Sequence, residues 1–227
     1  PFKPKKRTRA IIATEKGLVP LSEYILAGGG DKDLNKFAEE FISEEKGVNS
    51  LEEAFQGAMD IISEKISDNA AFRKWIREYV INTGLIETKG ESKERTQYEM
   101  YYEYNEKVKF IPPHRILAIN RGEDEKVLSV KITVDMERIQ AYIRKSVITE
   151  DAQCNGYIEK SIEDSLKRLI YPSIEREIRN MLTEKGEDGA IVIFKENLKA
   201  LLMAPPIKGK VVMGFDPGFR TRCKVAV

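Results

Sequence analysis

Residues 50–84 read SLEEAFQGAMDIISEKISDNAAFRKWIREYVINTG, and their periodicity decides the fold class. Leu51, Ala54, Phe55, Ala58 and Ile62 recur at steps of three and four, and Phe72, Trp75, Ile76, Tyr79 and Val80 do the same. Such spacing puts each set on one side of an α-helix, a side that needs covering. Ser50 and Glu53 have capping-box spacing, so the first helix starts there. The second follows Asp68, and Gly84 closes it. Trp75 and the phenylalanines lie on the apolar stripes and read as core, with base stacking the alternative use of such rings.

Towards the N-terminus, Leu34, Phe37, Ala38, Phe41 and Ile42 repeat the pattern. Asp31 or Asp33 can cap that helix, and Gly47 can take the left-handed position after its end. Three consecutive amphipathic helices with short connections predict antiparallel neighbours in a small bundle. Leu18 to Ala27 adds a shorter helix, ended by Gly28-Gly29-Gly30. No Lys-Ser/Thr and no GxGxxG frame accompanies these glycines, so they read as a flexible connection.

Towards the C-terminus, Leu85–Thr88 reads as a short strand. Val127–Val134 alternates with a period of two and can pair with it. Between them, Tyr98, Tyr101, Tyr102 and Tyr104 either stack bases or pack a helix end with their hydroxyls in water. Pro113 opens a helix to Asn120, with Gly122 as its stop. His114, the single histidine, has no carboxylate or cysteine at ligand spacing and reads as a surface or turn residue.

From Asp135 the helical period dominates. One helix carries Ile139, Tyr142, Ile143 and Val147, and a longer one runs from Ile158 to Met181. A last one carries Ile191, Phe194, Leu198, Leu201 and Leu202 and is stopped by Pro205-Pro206. Pro172 falls inside the longer pattern and predicts a kink or break near Ile170–Tyr171, where a donor is lost.

Residues 211–227, VVMGFDPGFRTRCKVAV, change the pattern. An apolar run from Val211 to Phe215 meets Asp216, then Pro217-Gly218, and a second run follows Arg222. That is a hairpin with a carboxylate at its mouth. Two strands alone are marginal in water, so the hairpin is expected to belong to a truncated α/β domain. The predicted fold is mainly α: a multi-helix, bundle-like array with one small β element, plus this C-terminal β-hairpin. Residues 1–205 form the helical region, and 206–227 the linker and hairpin.

The chemistry is sparse. Lys3, Lys5, Lys6, Arg7 and Arg9 form a basic run that either contacts nucleic-acid phosphates or pairs with the acidic helices. Arg220, Arg222 and Lys224 stand beside Asp216, where they either meet phosphate or neutralise the carboxylate. The formal net charge is +1, so any such binding is local. No apolar run reaches the roughly 20 residues of a bilayer span. Cys154 and Cys223 have no metal-ligand spacing, and the chain reads as reduced and cytoplasmic. No nucleophile–base arrangement, metal cluster or nucleotide loop is apparent, so no cofactor and no reaction are expected of these residues. Asp216 is the best single catalytic candidate.

Four stretches together resemble the Tex family of bacterial transcription accessory proteins: PFKPKKRTRA at 1–10, YEMYYEY with IPPHRILAINRGE between Tyr98 and Glu123, YPSIEREIRN at 171–180, and GFDPGFRTRCKVAV at 214–227. The resemblance implies that residues 1–205 are the later part of a helical N-terminal region. It also implies that the hairpin opens a YqgF, ribonuclease-H-like domain. The implied function is nucleic-acid binding, to RNA or DNA through the phosphate backbone, with the transcription machinery as a further partner and no membrane role. A metal-dependent nuclease using Asp216 is the alternative for a complete domain, and a protein-interaction scaffold on the transcription or translation machinery is another. Arg222 stands where the family pattern has glycine. Were that position to need a positive φ, arginine would cost about 1 kcal/mol or more.

Overall fold

A computed structural model describes residues 7–29, 33–90, 96–148, 153–205, 207–218 and 222–227. The first three helices, α1 (Arg9–Glu15), α2 (Val19–Leu26) and α3 (Leu34–Glu39), all pack on the fourth, α4 (Leu51–Ser67). Ser50 caps α4 by accepting the Glu53 N–H at 3.2 Å, while the Glu53 carboxylate accepts from the Asn49 N–H at 2.8 Å. That reciprocal bond falls one residue outside the usual capping box. Ala54, Ala58 and Ile62 are fully buried on α4, and each isoleucine buried in this way contributes about 1.5–3 kcal/mol. Gly57 permits a close approach: a Cβ there would lie 2.3 Å from a Leu18 methyl.

The expected three-helix bundle does not form. Helix α3 is short, and α5 (Ala70–Thr83) makes little contact with α4. An apolar stripe states that a face is covered, not by which element. Asp33 caps α3, and Asn69 rather than Asp68 caps α5 by accepting from the Ala71 and Phe72 N–H groups. Asp31 lies outside the described residues. Gly47 does adopt a positive φ of 68°, within a turn closed by the Ser43–Val48 bridge. Helix α1 was masked in the sequence by the charge of the basic run. Thr8 starts it by accepting the Ile11 N–H at 3.2 Å.

After α5 come strand β1 (Leu85–Gly90), a 3-10 turn at Glu99–Tyr101, strand β2 (Glu103–Lys107), helix α6 (Pro113–Asp124) and strand β3 (Leu128–Thr133). They build an antiparallel sheet of order β2-β1-β3, with Ile86 opposite Ile132. The β1–β3 pairing follows the sequence pattern, whereas β2 does not announce itself. Gly122 is not the stop of α6 but a buried residue inside it, where an added Cβ would lie 2.6 Å from Leu128. The helix ends two residues later, and Lys126 takes the left-handed φ of 60°.

Helices α7 (Met136–Val147) and α8 (Asn155–Asp164) follow, and α8 also packs on α4, where the buried Ser63 hydroxyl donates to the Ser161 carbonyl at 3.0 Å. From α8 the chain passes through a π-helical segment, Ser165–Ile170, into α9 (Tyr171–Leu202). No break occurs at Pro172. The Tyr171 N–H donates to the Leu166 carbonyl five residues back, so the widened turns take up the proline just ahead of it. The two helices expected on either side of Met181 and Ile191 are one helix of 32 residues. Helix α9 lies along α6 and also meets α5.

The hairpin is present as β4 (Gly214–Asp216) and β5 (Lys224–Ala226), with Phe215 opposite Val225. Val211–Met213 stay outside the strand. Arg222 has no positive φ, so the strain conditional on one does not arise. The fold is mainly α, and among the described residues no helix is long and apolar enough to cross a membrane.

Candidate nucleic-acid interface

The basic run enters the described structure at Arg7, and Lys3, Lys5 and Lys6 lie outside it. Arg7 pairs with Glu15 at 2.6 Å across α1, and the Thr8 hydroxyl donates to Glu64 on α4 at 3.1 Å. Arg9 opens α1 and lines a cleft of about 270 Å³ together with Arg7, Thr8, Asp60, Glu64 and Arg168. Arg168, on the π segment, binds Asp164 at 2.5 Å and stands 3.7 Å from Asp60. Burial pushes the Asp60 carboxyl up, against the opposing pull of Arg168 and Arg9. The Arg168 hydrogen bond holds Asp164 below its usual range. Arginines and carboxylates thus alternate around the cleft and fasten α1 to α4 and the π segment.

Sequence reading missed Arg168, Asp60 and Asp164 as members of this site. The i, i+4 pair Asp164–Arg168 was one available signal. Asp60, buried on an otherwise apolar side of α4, was another. The hairpin residues are not part of the cleft. Asp216 is exposed with Lys224 opposite it, Arg222 is exposed, and Arg220 lies outside the described residues. No group of acidic, histidine or cysteine side chains suited to a metal ion occurs among the described residues.

The tyrosines pack a structural corner. Tyr98 and Tyr101 are buried, and the Thr88 hydroxyl donates to the Tyr101 carbonyl. The Tyr102 hydroxyl bonds Thr96 at 2.7 Å. The Tyr104 hydroxyl donates to Glu106 and accepts from Arg115 at 3.0 Å. Burial and the neighbouring Glu106 raise the Tyr104 hydroxyl to about 12. Protein groups rather than water satisfy these hydroxyls. Trp75 has both faces taken, by Tyr79 with centroids 5.1 Å apart and by Tyr142 at 3.8 Å. No base can stack on it there. His114 is exposed at the second position of α6.

The other two distinctive stretches converge on α9. Tyr171 donates its hydroxyl to the Ile132 carbonyl, and Glu175 accepts the Ile132 N–H at 2.8 Å, which closes the outer edge of β3. Ser173 accepts from Arg73 at 2.7 Å, and Glu177 pairs with Arg77 at 2.7 Å, tying α9 to α5. Arg179 pairs with Glu123, and Asn120 donates to Thr183 at 2.9 Å, tying α9 to α6. Burial raises the Tyr171 hydroxyl to about 12. YPSIEREIRN is thus a clamp joining a helix, a second helix and a sheet edge.

A family model described as Tex central region-like matches residues 31–194. The Bacillus subtilis protein YdcI is 48% identical over 100% of the chain and 32% of its own length. The transcriptional accessory protein Tex of Neisseria gonorrhoeae is 31% identical over 100% of the chain and 31% of its own length. The human S1 RNA-binding domain-containing protein 1 is 29% identical over 98% of the chain and 24% of its own length. The chain therefore spans about a third or less of the length of these curated relatives.

Proposed function

Since this chain belongs to the Tex family, we propose that it is the helical scaffold of a nucleic-acid-binding protein acting in transcription, with Lys3, Lys5, Lys6, Arg7 and Arg9 making sequence-independent phosphate contacts to RNA or DNA. The observation that carries the scaffold reading is the clamp on α9. The family-like residues Tyr171, Ser173, Glu175, Glu177 and Arg179 all bond to other elements. Side chains spent in this way hold a shape and leave nothing free for a reaction. Relatives named for transcription and for RNA binding support the functional half.

In this reading residues 1–205 are the scaffold, and 206–227 are the linker and first hairpin of a ribonuclease-H-like domain in a cytoplasmic protein. Asp216 has no catalytic part within the stretch. Two-metal cleavage needs several carboxylates around the ions, and Asp216 faces Lys224. The phosphate contacts come from the lysines ahead of the cleft, because Arg7 and Arg9 already face Glu15, Asp60 and Asp164.

A salt titration of binding to single-stranded and duplex RNA and DNA tests this. Each phosphate neutralised adds about −0.7 to −0.9 to the slope of log K against log salt. The slope is expected to fall by roughly three such increments when Lys3, Lys5 and Lys6 become alanine. Binding that is absent, or that is indifferent to salt, would remove the basic run from the interface.

A further inference from the structure

Helix α9 carries two apolar faces, and only one is covered. Ile174, Ile178 and Leu182 are buried against the body, and Gly186 and Gly189 continue that side, close to Leu117 and Pro113 of α6. Beyond Gly189 a second stripe begins, with Ile191, Phe194, Leu198 and Leu201 spaced three and four apart. These four are 63, 67, 41 and 74% exposed. At 3.6 residues per turn the stripe lies well over a quarter-turn from the Leu182–Gly186 side. It is a separate face rather than the tail of the first.

We propose that this stripe is a self-association seam, along which two copies of the chain pair through residues 191–202. The four-three spacing is that of a two-helix seam, in which knobs of one helix enter holes of the other. An antiparallel pair layers Ile191 with Leu201 and Phe194 with Leu198. The same orientation brings the acidic approach to the stripe, Glu184–Asp188, towards the lysine-bearing exit, Lys199–Lys210, of the other copy. Charge complementarity of that kind selects orientation and partner. A parallel pair would set like charges side by side.

The exposed area argues for a second copy. Monomers rarely leave contiguous apolar patches larger than a few hundred Å². With Leu202 and Met203 adjoining at 75 and 74% exposure, the stripe exceeds a scatter of single side chains. A standard interface covers about 800 Å² on each partner, and the stripe with its neighbours is of that order. An isologous pairing closes on itself and needs no other partner.

Sedimentation equilibrium of the 227-residue chain over a micromolar dilution series tests the proposal. A reversible monomer–dimer equilibrium is expected. The double substitution Leu198→Glu, Leu201→Glu should weaken it at least tenfold, and Glu196→Ala, on the opposite side of the helix, should leave it unchanged. Because Leu198 and Leu201 are exposed in the single chain, the double variant should keep the wild-type circular dichroism, which separates lost pairing from lost folding. A chain that stays monomeric throughout would overturn the proposal. So would a double variant that pairs as well as the wild type.

Discussion

The two halves of α9 have the same sequence pattern and opposite surroundings. In the first half, Ile174, Ile178 and Leu182 are at most 2% exposed, held by α5, α6 and the clamp residues between Tyr171 and Arg179. In the second half, Ile191, Phe194 and Leu201 are more than 60% exposed, and the hairpin that follows is exposed throughout. Hydrophobic periodicity therefore reports that a face is made to be covered. It does not report that the cover comes from the same stretch of chain. The body, from Arg7 to about Gly186, answers its own pattern, and the arm beyond does not.

The largest expected effect contrasts one buried and one exposed residue of that helix. Ile178→Ala should cost about 2–5 kcal/mol, since it removes a fully packed side chain and leaves a cavity. Leu201→Ala should stay within about 0.5 kcal/mol in the monomer, as exposed substitutions do. Urea unfolding followed by circular dichroism measures both, in solution dilute enough to exclude pairing. Equal costs would break the division between body and arm.

A smaller effect, opposite in sign at two neighbouring carboxylates, sharpens the picture of how the body is fastened. Asp164 is held below its model value of 3.8 by Arg168, so its contribution is present above that pH and is lost as pH falls through the lower folded value. Asp164→Asn should destabilise the neutral chain by less than about 1 kcal/mol, because the pair is partly solvent-screened, and the deficit should fade in acid. Asp60 is raised above 3.8 by burial. Its contribution is present below that value and is lost as pH rises through the folded one. Asp60→Asn should therefore be neutral or stabilising at neutral pH and indistinguishable from wild type in acid. Urea midpoints across that range check both signs.

How much of this was legible follows the same division. Helix α4 could be read from Ser50, Glu53 and its apolar steps because local capping and periodicity act within one element. Strand β2 could not, since Glu103–Lys107 is an edge strand that buries no side chain fully and so carries no apolar alternation. Gly122 looked like a stop because a stop and a close-packing site ask for the same residue, and only the position of Leu128 separates them. Pro172 correctly marked a disturbance, but whether a helix breaks or widens depends on packing on either side. The cleft was half visible. Arg7 and Arg9 stood out as charge, whereas Asp60, Asp164 and Arg168 come together only when α4 and the π segment meet. The stretches resembling the family pattern were visible as motifs, and their use as a clamp emerged only from their partners.

The central claim is that α9 is one helix with a clamped half and an uncovered half. Amide hydrogen exchange on the Leu198→Glu, Leu201→Glu chain, where pairing between copies is blocked, tests it most directly. Amides of residues 174–186 should be protected near the level of global unfolding, and those of 191–202 should exchange through local opening at far lower free energy. Uniform protection along both halves would contradict the account.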